Sequence, residues 1–188
     1  MKLNKIASVK TGLVLSRKET KNSSEGYEYR QLNLKAVSDN AIELEHTIKF
    51  YASEKLSNNY LTQKGDVIVK TSDPYTAIYI NEEYTGLVIP SHFVIIRADE
   101  NLVLPKYIAW YLNKECIKKA FRMSCMGTLK QIKPSTVAET EIRLPTLERQ
   151  KQVVDLYDIS RSEIELLEKL IRQKKIYYKS LINKINRM

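Results

Sequence analysis

Apolar and polar residues alternate in short bursts over the first part of the chain, then give way to a helical repeat that lasts almost to the end. "YEYRQLNL" (27–34) and "IELEHTIKFY" (42–51) set β-formers near period two and predict strands. "GDVIVKTS" (65–72) predicts a turn and then an apolar strand. Residues 77–98 predict two or three strands, with polar turns at Asn81-Glu82-Glu83 and Pro90-Ser91. Residues 104–125 predict a helix: Pro105 suits a first turn, and Ile108, Tyr111, Leu112, Cys116, Ala120 and Phe121 recur at helical spacing. Gly127 is the expected break. Residues 128–145 are expected to end in a strand, Glu141-Ile142-Arg143-Leu144, stopped by Pro145.

The longest helical pattern covers 148–186, without Pro or Gly. A heptad fits it: Tyr157, Ile164, Ile171, Tyr178 and Ile185 share one position, and Val153, Ser160, Leu167, Lys174 and Leu181 the other. Ser160 and Lys174 are its flaws, and Leu156, Leu170 and Tyr177 widen the stripe. Such a helix is about 57 Å long at about 1.5 Å per residue. A body the size of residues 1–145 has a radius of gyration of only about 15 Å. The body cannot cover that stripe along its length, so the pattern asks for another chain. The alternative is a helix broken near Ser160–Ser162 and folded back.

Charge refines this reading. Glu148, Asp155, Asp158, Glu163, Glu165 and Glu168 all lie in the first half, while Lys169, Arg172, Lys174, Lys175, Lys179, Lys184 and Arg187 follow with no acid among them. The order complements the helix dipole. It also sets acid against base if two copies pair antiparallel. Exposed ion pairs contribute only about 0.2–1 kcal/mol each, so they select the geometry more than they supply affinity. The expected arrangement is a body over 1–145 and a dimerising helix over 146–188.

The chain has 188 residues, 31 Lys and Arg against 22 Asp and Glu, and a net charge of +9. That surplus points to a polyanionic partner. No stretch approaches the roughly 18 unbroken apolar residues of a membrane span, and "MKLNKIASVKTG" has no signal-like apolar core. A cytosolic protein with no membrane partner is expected. Cys116 and Cys125 are the only cysteines, match no zinc spacing, and are expected as two buried thiols. "SDPY" (72–75) is similar to the Asn/Asp-Pro-Pro-aromatic loop of amino-group DNA methyltransferases, but lacks its second proline and any glycine-rich cofactor turn, so it reads as a turn. No Walker loop, nucleophile triad or nuclease-like cluster occurs, and Asp66, Glu82 and Glu83 read as solvated turn residues. No catalysis, cofactor or metal is implied.

A basic surface remains. Residues 116–138 hold Lys118, Lys119, Arg122, Lys130 and Lys133 and no acid, which suits phosphates, while Thr128 and Gln131 suit base edges. Roughly five phosphate contacts would make log K fall with log salt at a slope of about −4.5. A second loop offers Lys70, Thr71, Ser72, Asp73, Tyr75 and Thr76, among which Asp can accept from cytosine N4 and Ser or Thr can serve several bases.

Three blocks in order resemble the specificity subunit of type I restriction–modification systems. "KGDVIVKTSD" (64–73) looks like that family's Gly-Asp strand leading to a polar loop. "SHFVIIRADENLVLPKYIAWYLN" (91–113) is similar to its strand and Pro-x-Tyr helix. "GTLKQIKPSTVAETEIRLPTLERQKQVV" (127–154) resembles its closing block, where a strand ends in Leu-Pro and a long helix begins. The resemblance implies an α/β (α+β) globular target recognition domain that reads half of a bipartite duplex DNA site, followed by one long coiled-coil helix. It implies that the long helix, 146–188, acts as a ruler between two recognition domains and as the docking surface for adenine methyltransferase subunits, that a restriction subunit joins them, and that the chain itself performs no catalysis. Family members normally carry two recognition domains and two antiparallel long helices. With one of each here, the expected unit is an antiparallel homodimer. Two other readings stay open: the recognition domain of a fused methyltransferase-nuclease, and a basic coiled-coil protein that binds nucleic acid without sequence preference. A start resembling the family's first segment weighs against the fused enzyme.

Overall fold

The structure is a computed structural model that describes residues 1–20, 26–38, 41–125 and 131–186. It divides into two compact units, Met1–Gln150 and Lys151–Met188. The expected class holds: mixed sheets and helices, then a long C-terminal helix.

The first unit is built on a four-stranded antiparallel sheet. Its strands are β1 (Ala7–Thr11), β4 (Asp66–Lys70), β5 (Ala77–Tyr79) and β6 (Phe93–Ala98), in the order β1-β6-β4-β5. A separate antiparallel pair is formed by β2 (Tyr27–Gln31) and β3 (Ile48–Ala52). All five residues of β4 are buried, so the apolar run Val67-Ile68-Val69 does not alternate, and the flanking Asp66 and Lys70 are buried with it. Ile68 and Ile95 face each other in the β4–β6 register and join Leu32, Ile80, Ile89 and Phe93 in the main core. A smaller cluster lies around Phe50, Leu56 and Val88. Entry to β4 is a tight turn. Gly65 adopts φ +90°, where a side chain would be strained, and Asp66 Oδ2 accepts from Gln63 N at 3.0 Å. Gly12 is confined differently, because a Cβ there would meet Pro90 O at 2.1 Å.

Four expectations are corrected. The helix predicted over 104–125 is two helices, α1 (Pro105–Leu112) and α2 (Glu115–Ser124). The break comes from Asn113, whose Nδ2 donates to Ala109 O at 3.0 Å and to Ala77 O at 2.6 Å, while its Oδ1 accepts from Ala77 N at 3.0 Å. One amide thereby closes α1 and ties it to β5. The strand expected over 42–51 begins only at Ile48, after a 3-10 turn at Leu44–His46. Residues 141–144 form no strand: Glu141 makes a single bridge to Lys2, with Ile142 N donating to Met1 O at 2.8 Å. A short helix, α3 (Pro134–Ala138), opens on Pro134 where no helix was expected. Among smaller points, Cys116 is exposed and Cys125 only half-buried, so they are not two buried thiols. Asp66 is no solvated turn residue, being 3 % exposed and 2.9 Å from Arg97 Nε. Gly127 lies outside the described residues.

The long helix, α4, is Leu147–Ile185, 39 residues and about 58 Å. It runs unbroken through Ser160–Ser162, with Ser162 Oγ donating to Asp158 O at 3.0 Å, so the break that the alternative placed there is absent. Its first turn is fixed to the body by Gln150, which is fully buried. Gln150 Oε1 accepts from Leu104 N at 2.9 Å, and Nε2 donates to Leu102 O at 3.1 Å and Pro145 O at 2.9 Å. Gln150→Leu is expected to lower the thermal unfolding temperature, since each group left unpaired costs about 1–3 kcal/mol. A melting curve matching the parent's would show those bonds to be replaceable.

Candidate nucleic-acid interface

The loop between β4 and β5 carries Thr71–Thr76, and four elements hold it. Thr71 N and Oγ1 both donate to His92 O, at 3.1 and 3.0 Å. Thr71 O accepts from Ile132 N at 2.8 Å, and Ser72 bridges Gln131 in antiparallel fashion. The Asp73-Pro74 peptide is cis, and Tyr75 sits at φ 55°, in the left-handed region, with its N donating to Ser72 O at 2.8 Å. That turn drives the Tyr75 ring inward, edge-on to Phe121 at 5.8 Å, with the phenol oxygen 3.4 Å from Cys125 Sγ. Burial, and then the Cys125 contact, push the Tyr75 phenol up to about 12, so it stays neutral at ordinary pH.

Two segments read separately in the sequence therefore meet, 71–76 and 131–136. Next to this junction opens a cleft of about 650 Å³, lined by Thr71 alone of the first segment, by Ser124, and by Gln131, Ile132, Lys133 and Thr136 of the second, among others. Gln131 and Lys133 are exposed at its edge, and Lys119 is exposed on α2. Lys118 is half-buried.

Several expected contacts occupy other positions than the sequence suggested. Lys70, Tyr75 and Thr76 are buried and build the loop, and Thr71, also buried, reaches only the wall of the cleft. Asp73 and Arg122 are exposed but bind each other, Arg122 Nε lying 2.7 Å from Asp73 Oδ1, and Arg122 Nη1 also reaches Glu115 Oε1 at 2.6 Å. These two carboxylates raise the Arg122 pKa further and offset the charge a phosphate would need. Arg122 is thus a brace on the loop. Thr128 and Lys130 lie outside the described residues. The cleft also includes Ser91, Ser124 and Thr136, which the sequence reading passed over. Only Ser91 carried a signal, as part of the Pro90-Ser91 turn.

On α4, apolar residues are exposed both on the expected seam and off it, Ile159, Leu166, Ile176 and Ile182 among the latter. Ile164, Leu167, Ile171, Tyr178, Leu181 and Ile185 are 40 % to 65 % exposed, and Val153 and Tyr157 are half-buried. Among the described residues, no helix is long and apolar enough to cross a membrane.

The first unit is thus a mixed sheet domain with a cleft beside segment 131–136, and in chain order a long, largely exposed helix follows it. Residues 1–175 match the model of the type I restriction modification DNA specificity domain, and the chain belongs to that family. It is 25 % identical over 109 residues to the specificity subunit of the type I restriction enzyme HindI of Haemophilus influenzae, covering 55 % of this chain and 24 % of that one. The fold is similar to a crystal structure of the HsdS subunit of Thermoanaerobacter tengcongensis, with a TM-score of 0.70, 16 % identity, and coverage of 90 % of this chain and 43 % of that one. A structure described as the basis of complex assembly and conformational transition of the type I R-M system matches equally, at TM-score 0.70 and 17 % identity, with the same coverage. The chain thus spans less than half the length of these relatives.

Proposed function

We propose that this chain is a non-catalytic DNA-sequence reader that recognises half of a bipartite duplex site. Two copies pair antiparallel through α4 and present two readers to adenine methyltransferase subunits and a restriction subunit. The observation that carries this reading is the pairing of 71–72 with 131–132, which sets the two loops side by side next to one cleft, supported by family membership. The reading residues are Ser72, Gln131 and Asp73. Asp73 Oδ1 is bound by Arg122, which leaves Oδ2 to accept from an exocyclic amino group. Lys119 and Lys133 take phosphates at the rim, with Lys118 and Lys130 beside them in the sequence.

Two measurements test this. With Arg122 removed from the phosphate count, binding to a short half-site duplex should show a log K against log salt slope of about −3.6 rather than −4.5. A slope near zero would remove phosphate contact from this face. In competition among mixed oligonucleotides, Lys133→Ala should weaken binding to all sequences alike. Gln131→Ala should instead change the preferred base by about 1–3 kcal/mol, or roughly 5- to 150-fold. An unchanged preference in Gln131→Ala and also in Asp73→Asn would mean the reading surface lies elsewhere.

A further inference from the structure

The 71–76 loop has one firmly held arm and one weaker arm. Its entry leaves β4, an inner strand with β6 on one side and β5 on the other. Its exit enters β5, which has only three residues and lies at the edge of the sheet. Ala77, the first of them, follows the loop directly. The Asn113 side chain meets both of its backbone groups: Oδ1 accepts from Ala77 N at 3.0 Å, and Nδ2 donates to Ala77 O at 2.6 Å. One side-chain amide therefore stands where the backbone of a further strand would pair. Ala77 is 2 % exposed, so water does not take over that pairing without a shift of the chain. Asn113 holds the same loop in a second way. It ends α1, with Nδ2 also donating to Ala109 O at 3.0 Å, and α2 begins two residues later. The other braces sit on α2 and just past its end: Phe121 against the Tyr75 ring, Arg122 on Asp73, and Cys125 against the Tyr75 phenol. The direction in which α2 leaves α1 thus reaches Tyr75 and Asp73, while the amide itself reaches Ala77. Asn113 is half-buried, and both its amide hydrogens and its oxygen are engaged within the fold.

We propose that Asn113 is a positioning residue for sequence readout: it touches no base, but it sets the place of Ser72 and Asp73, so that base preference depends on it. The inference rests on the proposed reading by the 71–76 loop and adds to it a residue outside both reading segments. A hydrogen bond to a base edge weakens steeply once its angle leaves the preferred range. A lysine on a phosphate acts as a point charge and tolerates such a shift. Loss of the Asn113 amide therefore falls on base preference and spares phosphate binding.

The experiment uses the full chain and a short half-site duplex selected from a randomised pool, with competition among duplexes varied one base pair at a time. Asn113→Ala should cut discrimination about 10-fold at the base pair whose preference Asp73→Asn alters, out of the roughly 5- to 150-fold that a base-edge contact supplies. Its log K against log salt slope should match the parent's, since no phosphate contact is removed. Gln150→Leu is the control. It too strips backbone groups of their side-chain partner, at the opposite end of α1, and it should keep the parent's preference. Asn113→Gln keeps the amide but sets it one methylene too far. It should melt closer to the parent than Asn113→Ala does and still lose part of the discrimination, and it decides the matter if Asn113→Ala does not fold. The parent's preference in a folded Asn113 variant, where Asp73→Asn shifts it, overturns the inference alone. An equal loss of discrimination in Gln150→Leu also overturns it, because a general loosening of the body would then suffice. A parent that selects no duplex overturns the functional reading, and preferences unmoved by Asp73→Asn take the loop out of the reading surface; the inference falls with either.

Discussion

Leu167→Asp/Ile171→Asp should convert a dimer into a monomer and cut affinity for a bipartite duplex by about 10²- to 10⁴-fold, the avidity that two linked readers supply. Both side chains stand about half exposed on α4, at 52 % and 53 %. Burying each against a second copy contributes about 1.5–3 kcal/mol. Their position sharpens the effect. The apolar stripe runs from Val153 to Ile185, so its midpoint lies close to residue 169. In an antiparallel pair, residues near the midpoint sit near the two-fold axis and meet their own counterparts. The variant therefore gathers four carboxylates at one place in the seam, where each desolvated charge costs several kcal/mol. The body should keep its fold, seen as an unchanged near-ultraviolet dichroism spectrum. The same symmetry bears on the DNA site. Identical readers related by a two-fold must read the same half-site on opposite strands, so methylation mapping in cells carrying the chain and its methyltransferase should show an inverted repeat around an unread spacer. A monomeric parent, or an asymmetric motif with this as the sole specificity chain, would refute the homodimer.

The parts of the fold that were legible in the sequence are those with a local cause. "GDVIVKTS" announces β4 because a glycine turn precedes five residues that are all buried. Pro105 announces α1, and the heptad announces α4 across its whole length. The break between α1 and α2 was not legible, because Leu112, Cys116 and Ala120 keep the helical period straight through it. Its cause, the Asn113 amide, acts on Ala77, 36 positions away. The same division runs through the candidate site. The two loops could be picked out by composition, but not which of their side chains face outward. Tyr75 and Thr76 look like contacts until a left-handed turn and a neighbouring helix bury them. Asp73 and Arg122 look independent until the fold sets them 2.7 Å apart, across 49 residues of sequence.

Arg97→Ala is expected to destabilise the body by about 3 kcal/mol, the low end of the cost of leaving a buried charge without its partner. Asp66 is 3 % exposed at the side chain, and Arg97 at 24 % is only partly covered, which favours the low end. Arg97 Nε and Nη2 both reach the Asp66 carboxylate, at 2.9 and 3.3 Å, and Nη2 also donates to Asn58 O at 3.1 Å and Leu61 O at 3.3 Å. One guanidinium thus joins β4, β6 and the turn before β4. Removing it strands the carboxylate beside the glycine turn. Arg97→Lys keeps the charge without the planar fork and should fall between parent and Ala. Asp66→Leu/Arg97→Met should recover most of the loss, since an apolar pair of similar size needs no compensation. Lys64→Ala is the contrast: its partner Glu82 is 2.5 Å away, but both are more than half exposed, so this variant should unfold with the parent. Urea unfolding of the five proteins decides it. If Arg97→Ala unfolds with the parent, the Asp66–Arg97 pair is not what holds the entry to β4, and the loop at that strand's far end depends on the apolar core alone.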